Sequence, residues 1–345
     1  MKKQRSVKSA VYSLALLVLT LVMIISGLRI LESTVFLPEE NQQVIQRKTI
    51  ERNGVEYFPR QDITVMLVMG IDQEGPVQSS GSYRNAGAAD LVMLLIFDEQ
   101  EKDCSILYLN RDTMLEMPVL GLSGKQAGTN YAQLALSHTY GSGLEDSCEN
   151  TRKAVSDFLN GIAIDYYLAV NMDAIAIAND AVGGVTVWVE DDFSRVDPSI
   201  QKGEMTLWGQ QAMNFVRTRK GVGDQLNLSR IQRQEAYIDS FARSFEQAMD
   251  TDANFVVKTY EAISPYLVTD CSVSTISGML SRYEGFSIRQ IITPEGENVL
   301  GKDHYEFYAD EQKLDELILR LLYHPDMCPG MDVAQCEAII REIYE

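Results

Sequence analysis

The clearest pattern in the chain is an apolar run near its start. Ser9 to Leu28 contains no charged residue and consists mostly of Leu, Val, Ile, Ala and Met. A helix of that length spans about 30 Å at 1.5 Å per residue, the hydrocarbon thickness of a bilayer. No polar face interrupts it, which argues against a buried amphipathic helix. Four bases precede it, Lys2, Lys3, Arg5 and Lys8, and the positive-inside rule then leaves the N-terminus in the cytoplasm. The pattern predicts a cytoplasmic segment over 1–8, a transmembrane signal-anchor over 9–30 and an extracytoplasmic remainder. A cleaved signal peptide is the competing reading. Its apolar region would be shorter, about 7–15 residues, and only Ser26-Gly27 is small enough for a cleavage position.

Residues 31–48 are polar and rich in Gln and Glu, as a stalk would be. Thr49–Phe58 predicts a hairpin turning at Asn53-Gly54. Ile63–Met69 and Leu91–Phe97 are near-continuous apolar runs, which predicts strands buried on both faces. Ser105–Leu109, Asp165–Val170 and Val185–Val189 predict further strands. Helices are expected over 130–140, 145–159, 172–181, 208–215 and 229–249, the third ended by Gly183-Gly184. Alternating strands and helices without a linker imply one layered α/β (α+β) domain over 49–325. Residues 326–345 form a C-terminal extension.

Composition refines this picture. The chain has 345 residues, 46% of them hydrophobic, which excludes wholesale disorder. It carries 49 acids against 30 bases, a net charge of −19, and this opposes nucleic-acid binding by phosphate neutralisation. Five of the bases lie in the first 29 residues, which hold no acid, so the rest of the chain carries a net of −24. Of the cysteines, Cys104, Cys148, Cys271, Cys328 and Cys336, none has a CxxC spacing. Cys328 and Cys336 bracket a short Pro-Gly loop and suit a local disulfide in an oxidising compartment. Burial of the thiols as small apolar groups is the equal alternative.

Common catalytic signatures such as GxSxG, HExxH and GxxxxGK[ST] are absent. A local reversal of charge stands out instead. Arg217, Arg219, Lys220, Arg230 and Arg233 occur together with one acid, Asp224. Arg217 and Arg219 share a face of an extended segment, and Arg230, Arg233 and Gln234 share a stripe of a helix. Converging guanidinium forks repel one another unless an anion lies between them, and their geometry suits phosphate or carboxylate oxygens. The bland alternative is pairing with surface acids.

Two aspartates complement that patch. Asp72 follows the first long strand and Asp90 precedes the second, so antiparallel pairing would bring both carboxylates to one end of the sheet. Two carboxylates with a phosphorylated substrate suit Mg²⁺. Turn capping by each Asp is the alternative.

The motifs resemble the LytR-CpsA-Psr family. They are Asn110-Arg111-Asp112-Thr113, Gly161-Ile-Ala-Ile-Asp-Tyr-Tyr167, Asp180-Ala-Val-Gly-Gly-Val185, Gly209-Gln-Gln-Ala212 leading into Arg217-Thr-Arg219, and Ser229-Arg-Ile-Gln-Arg-Gln234. The resemblance implies a membrane-anchored, Mg²⁺-dependent transferase that moves a glycopolymer from a polyprenyl-pyrophosphate carrier onto peptidoglycan, forming a phosphodiester. It also implies a mixed central β-sheet layered between α-helices, with an apolar tunnel for the polyprenyl chain. By correspondence, Asp72 and Asp90 hold the metal, and Arg111, Arg217, Arg219, Arg230 and Gln234 hold the pyrophosphate. Arg111 and Asp224 are the catalytic candidates, Asp224 as general base. The chain departs from the family pattern at Ala88, where an Arg is usual, and at Asn110, where a Pro is usual. It departs again at Asn227, where the family's Asp stands three residues before the Arg matched by Arg230. A regulatory binding protein for polyprenyl phosphates and a lipid pyrophosphatase are the alternative functions.

Overall fold

The computed structural model describes residues 49–325 apart from 53, 85, 122–123, 219–220, 223–226, 253–254, 273–274, 276–277, 280–281, 284–285 and 303. The expected anchor over 9–30, the stalk, Arg219, Asp224 and the extension 326–345 with Cys328 and Cys336 lie outside the described residues. So do the side chains of Arg230 and Gln234, although their backbone belongs to a helix. Among the described residues no helix is long and apolar enough to cross a membrane.

The chain opens with the expected hairpin. Strands β1 (Ile50–Arg52) and β2 (Val55–Pro59) pair with Arg52 opposite Val55, and Gly54 takes the left-handed conformation the two-residue turn requires (φ 78°). The apolar runs then become β3 (Ile63–Ile71) and β4 (Ala89–Asp98), followed by β5 (Asp103–Leu109). These are the antiparallel centre of a six-stranded sheet. Its remaining members come from farther along the chain. They are β8 (Tyr166–Asn171), parallel to β3, then β11 (Leu267–Thr269), antiparallel to β8, and β12 (Ser287–Ile292), parallel to β5. The sheet is therefore mixed, as expected.

Both faces are covered, which is why β3 and β4 read as unbroken apolar runs. Met66, Val68, Met93 and Leu95 point into one core, packed against the helices Asp173–Ala181, Gln210–Arg217, Asn227–Thr251 and Phe255–Ile263. Val65, Leu67, Leu94 and Ile96 point into the other. There they meet the helices Glu145–Phe158 and Glu311–Leu322. Each fully buried Leu contributes about 1.5–3 kcal/mol, so the two layers hold the sheet from both sides. Cys104 and Cys148 are buried and Cys271 is half-buried, all as free thiols. Burial pushes the Cys104 and Cys271 thiols up to about 12.

One expected element is corrected. Residues 130–140 were expected as a helix, but they begin as strand. A hairpin of β6 (Met114–Leu120) and β7 (Gln126–Gln133) precedes a short 3₁₀ turn at Leu134–Tyr140. Most β7 side chains are exposed, so the strand carries no alternating apolar signal. Further hairpins form from β9 (Val185–Val189) with β10 (Gly203–Leu207), and from β13 (Gly296–Leu300) with β14 (Tyr305–Ala309). A last short strand, β15 (Tyr323–Pro325), closes onto β2.

Candidate functional site

Asp72 and Asp90 lie at the same end of neighbouring antiparallel strands. The register shifts between Gly70 and Ile71, Ile71 pairs with Ala89, and the Asp72 N–H donates to the Ala88 carbonyl at 2.9 Å. Space there is tight. A Cβ on Gly87 would lie 2.7 Å from Ile71 Cγ2 and 3.0 Å from the Asp72 carbonyl oxygen, so only glycine lets the loop return this close. The loop between the two aspartates is tied down at Gly75, whose N–H donates to Asp173 Oδ2 (2.6 Å) and whose carbonyl accepts from Asn171 Nδ2 (2.9 Å).

Each aspartate meets an arginine delivered by another element. Arg217 ends the helix Gln210–Arg217, and its Nη2 donates to Asp72 Oδ1 at 2.8 Å. Arg111 follows β5, and its Nη1 donates to Asp90 Oδ1 at 2.5 Å. The turn that presents Arg111 is made by Asn110: its Oδ1 accepts the Asp112 N–H (3.0 Å) and its carbonyl accepts the Thr113 N–H (3.0 Å). Asn110 thus closes the turn by hydrogen bonding from its side chain as well as its backbone.

Burial pushes the Asp90 carboxyl above its ordinary value; Arg111 opposes the shift and the neighbouring Asp72 charge reinforces it. The two carboxylates therefore feel each other, and a shared cation relieves both. Their all-oxygen donor set suits Mg²⁺, which typically takes one or two carboxylates with waters and substrate phosphates. Among the described residues no group of three or more His, Cys, Asp or Glu could hold a metal. On chemistry the pair fits the ion.

The charge patch divides into two kinds of arginine. Arg233, counted with the converging cluster in the sequence, is instead buried. It pairs with Asp191, donates from Nε to the Phe215 carbonyl (3.0 Å) and from Nη2 to the Thr218 carbonyl, and lies over the Phe193 ring. It thereby holds the backbone on both sides of Arg217. Spacing along a helix cannot tell a guanidinium that faces a ligand from one that faces the core.

Sequence reasoning also missed Asp112, Gln133 and His138. Asp112 Oδ1 lies 3.6 Å from Arg111 Nε and accepts from Gln133 Nε2 at 2.9 Å. Buried His138 has Nδ1 2.7 Å from the Gly87 carbonyl, the same loop that approaches Asp72, and burial lowers its pKa. Nδ1–H donates to that carbonyl and steadies the loop, while burial disfavours the charged ring. The sequence offered only three scattered histidines.

A profile of the LytR_cpsA_psr family matches residues 34–321. Among curated relatives, the polyisoprenyl-teichoic acid–peptidoglycan teichoic acid transferase TagU of Bacillus anthracis (strain CDC 684 / NRRL 3495) is 29% identical over 182 residues, covering 53% of this chain and 53% of its own length. The matched region thus spans about half of that relative's length. The corresponding transferase TagT of Bacillus subtilis (strain 168) is 26% identical over 284 residues, covering 76% of this chain and 77% of its own. Among solved structures, that of TagT bound to LI-WTA superposes with a TM-score of 0.52 at 23% identity, covering 83% of this chain and 97% of that one. Protein gbs0355 of Streptococcus agalactiae gives 0.56 at 21% identity, covering 75% and 86%. At these identities the structural likeness shows a shared mixed α/β fold.

Proposed function

The chain belongs to the LytR-CpsA-Psr family, and from that premise we propose that it transfers a glycopolymer from a polyprenyl-pyrophosphate carrier onto peptidoglycan. The observation that supports this is the pairing of Asp72 with Arg217 and of Asp90 with Arg111 at one end of the sheet. Two guanidinium groups, each with five N–H donors, stand beside two carboxylates suited to a divalent ion, and a pyrophosphate needs both.

In the proposed reaction an acceptor hydroxyl oxygen bonds to the glycan-side phosphorus. The bridging P–O bond breaks, polyprenyl phosphate leaves, and the hydroxyl proton passes to a base. Arg111 and Arg217 orient the phosphates and stabilise the charge that develops on the departing lipid phosphate. We assign Arg219, Arg230 and Gln234 to the same pyrophosphate and Asp224 to the base, from the sequence motifs. Bound Mg²⁺, held by Asp72 and Asp90, would neutralise phosphate charge and polarise the transferred group. Ala88 in place of the family's Arg leaves one cation fewer at this edge. The signal-anchor over 9–30 would hold the domain at the outer membrane face, where a lipid-linked donor resides.

The test uses the full-length protein in detergent with a lipid-linked teichoic acid, Mg²⁺ and peptidoglycan oligomers, read by mass spectrometry. The reading expects a covalent glycan–peptidoglycan phosphodiester with matching release of polyprenyl phosphate, abolished by chelation and restored by Mg²⁺. Donor binding without product would replace it by a regulatory binding protein. Phosphate release without coupling would replace it by a lipid pyrophosphatase.

A further inference from the structure

The two aspartates are framed alike. Gly75 lies three residues after Asp72, and Gly87 lies three residues before Asp90. Each glycine is held through its carbonyl by a buried polar side chain. Gly75 accepts from Asn171 Nδ2 at 2.9 Å, from the end of β8, and Gly87 accepts from His138 Nδ1 at 2.7 Å. Asn171 is 3% exposed and His138 1%. The Asp72 and Asp90 side chains, by contrast, are open to solvent, so core packing does not fix them. Their placement falls to the backbone on either side, and a binding geometry is held only as well as the groups that support it.

His138 reaches farther than Asn171. The 3₁₀ turn Leu134–Tyr140 that carries it is also bonded to the Arg111 corner. The Ala135 N–H donates to the Arg111 carbonyl (3.0 Å), and the Leu134 N–H donates to the Thr113 carbonyl (2.8 Å). Leu134 and Ala135 are fully buried. The helix Glu145–Phe158 fixes the turn from behind: Asn150 Nδ2 donates to the Ser137 carbonyl (2.7 Å), and Ser137 Oγ donates to Thr151 Oγ1 (3.0 Å). One short piece of backbone therefore holds both the loop that leads into Asp90 and the turn that presents Arg111, the partner of Asp90. Its link to the loop is the His138 side chain.

We propose that His138 is a positioning residue of the transfer site. Its hydrogen bond to the Gly87 carbonyl fixes Asp90 relative to Arg111, and so sets the affinity of the carboxylates for a divalent cation and of the arginine for a pyrophosphate. The proposal rests on the transferase reading above and adds to it a residue that touches neither ligand.

The test measures two affinities of the full-length protein. Mn²⁺, which takes the same oxygen donors as Mg²⁺, is followed by electron paramagnetic resonance, and a short-chain prenyl pyrophosphate by calorimetry. His138→Leu removes the donor and is expected to weaken both at least about tenfold, the lower range for groups that orient metal ligands from outside the shell. His138→Asn carries an amide N–H two bonds from Cβ, where Nδ1 stands, and should recover both affinities even though the smaller side chain lowers the urea midpoint. His138→Gln carries its amide one bond farther out and should not. Ser137→Ala removes a buried hydrogen bond from the same turn without touching the loop, so it should lower the urea midpoint and leave both affinities unchanged. If His138→Leu does not fold, the contrast between Asn and Gln carries the test.

Wild-type affinities in folded His138→Leu overturn the proposal. So do equal affinities in the Asn and Gln variants, or a loss in Ser137→Ala as large as in His138→Leu. A wild type that binds neither ligand overturns the proposal together with the transferase reading. Failure of that reading alone is distinguishable, because cation and pyrophosphate would still bind in a His138-dependent way while no covalent glycan–peptidoglycan product formed.

Discussion

Arg217 and Asp72 are 145 positions apart in sequence, yet Arg217 Nη2 lies 2.8 Å from Asp72 Oδ1. Their side chains are 47% and 46% exposed, and exposed ion pairs of this kind contribute about 0–1 kcal/mol. Stability therefore gives little reason for the pairing. Arg111 with Asp90 repeats it one strand away, so two cations and two carboxylates stand together at one end of the sheet. Such a grouping suits a polyanion on its arginines and a divalent cation on its acids.

Arg217→Ala separates these roles. Removing an exposed pair should change unfolding free energy by less than about 1 kcal/mol. Donor affinity and transfer should both collapse, because a phosphate loses a charge-assisted fork. Denaturant unfolding and binding of lipid-linked donor on the same preparation check this. A variant that binds donor normally would remove Arg217 from the site.

Arg233 should behave in the opposite way. It is buried, paired with Asp191, and donates to the Phe215 and Thr218 carbonyls. Arg233→Ala leaves a carboxylate and two carbonyls without these donors, a change expected to cost about 3–5 kcal/mol. Arg233→Lys should not rescue it, since an ammonium cannot span three acceptors in a planar fork. Urea unfolding of both variants checks the ranking.

The contrast between these two arginines marks what could be read from the sequence. Asp72 and Asp90 were legible because two apolar runs bounded by turn residues specify neighbouring buried strands, and position then follows from pairing. Arg217 was legible as part of a charge reversal in an acidic chain. Arg233 was grouped with it because helical spacing records a shared stripe but not which stripe is buried. Strand β7 was misread because its side chains face solvent in a projecting hairpin, where period-2 alternation has no core to select it. His138 and Asp112 act through backbone and side-chain contacts between distant segments, which no local pattern encodes.

His138 gives the fold a pH dependence of definite sign. Burial lowers its pKa from the usual value near 6.5, against the hydrogen bond to the Gly87 carbonyl. Above that pH the ring is neutral in both folded and unfolded chains and costs nothing. Below it the unfolded chain takes up the proton first, so stability falls as pH falls. His324 is shifted the same way, by burial and by Arg60, and adds to the trend. The urea midpoint should therefore drop between pH 7 and pH 5.5, and less steeply in His138→Gln than in the wild type. Equal slopes would show that His138 does not titrate as described.

Gly87 tests whether the close return of the loop sets the aspartates. A Cβ there meets Ile71 Cγ2 at 2.7 Å, and Ile71 is 2% exposed and fixed within the sheet core. The added methyl must push either that side chain or the loop itself, and overpacking of this kind typically costs about 1–3 kcal/mol. The displaced segment carries the Ala88 carbonyl that accepts the Asp72 N–H, so the spacing between Asp72 and Asp90 changes with it. Gly87→Ala should accordingly lower transfer by more than its loss of stability explains, and raise the Mg²⁺ concentration needed for half-maximal activity. Gly278→Ala is the matched control, because a Cβ there has nothing within 4 Å. Gly278 has helical backbone, so the change should leave stability unchanged or raise it by up to about 1 kcal/mol. If Gly87→Ala and Gly278→Ala give the same activity and melting temperature, the loop does not set the carboxylate pair.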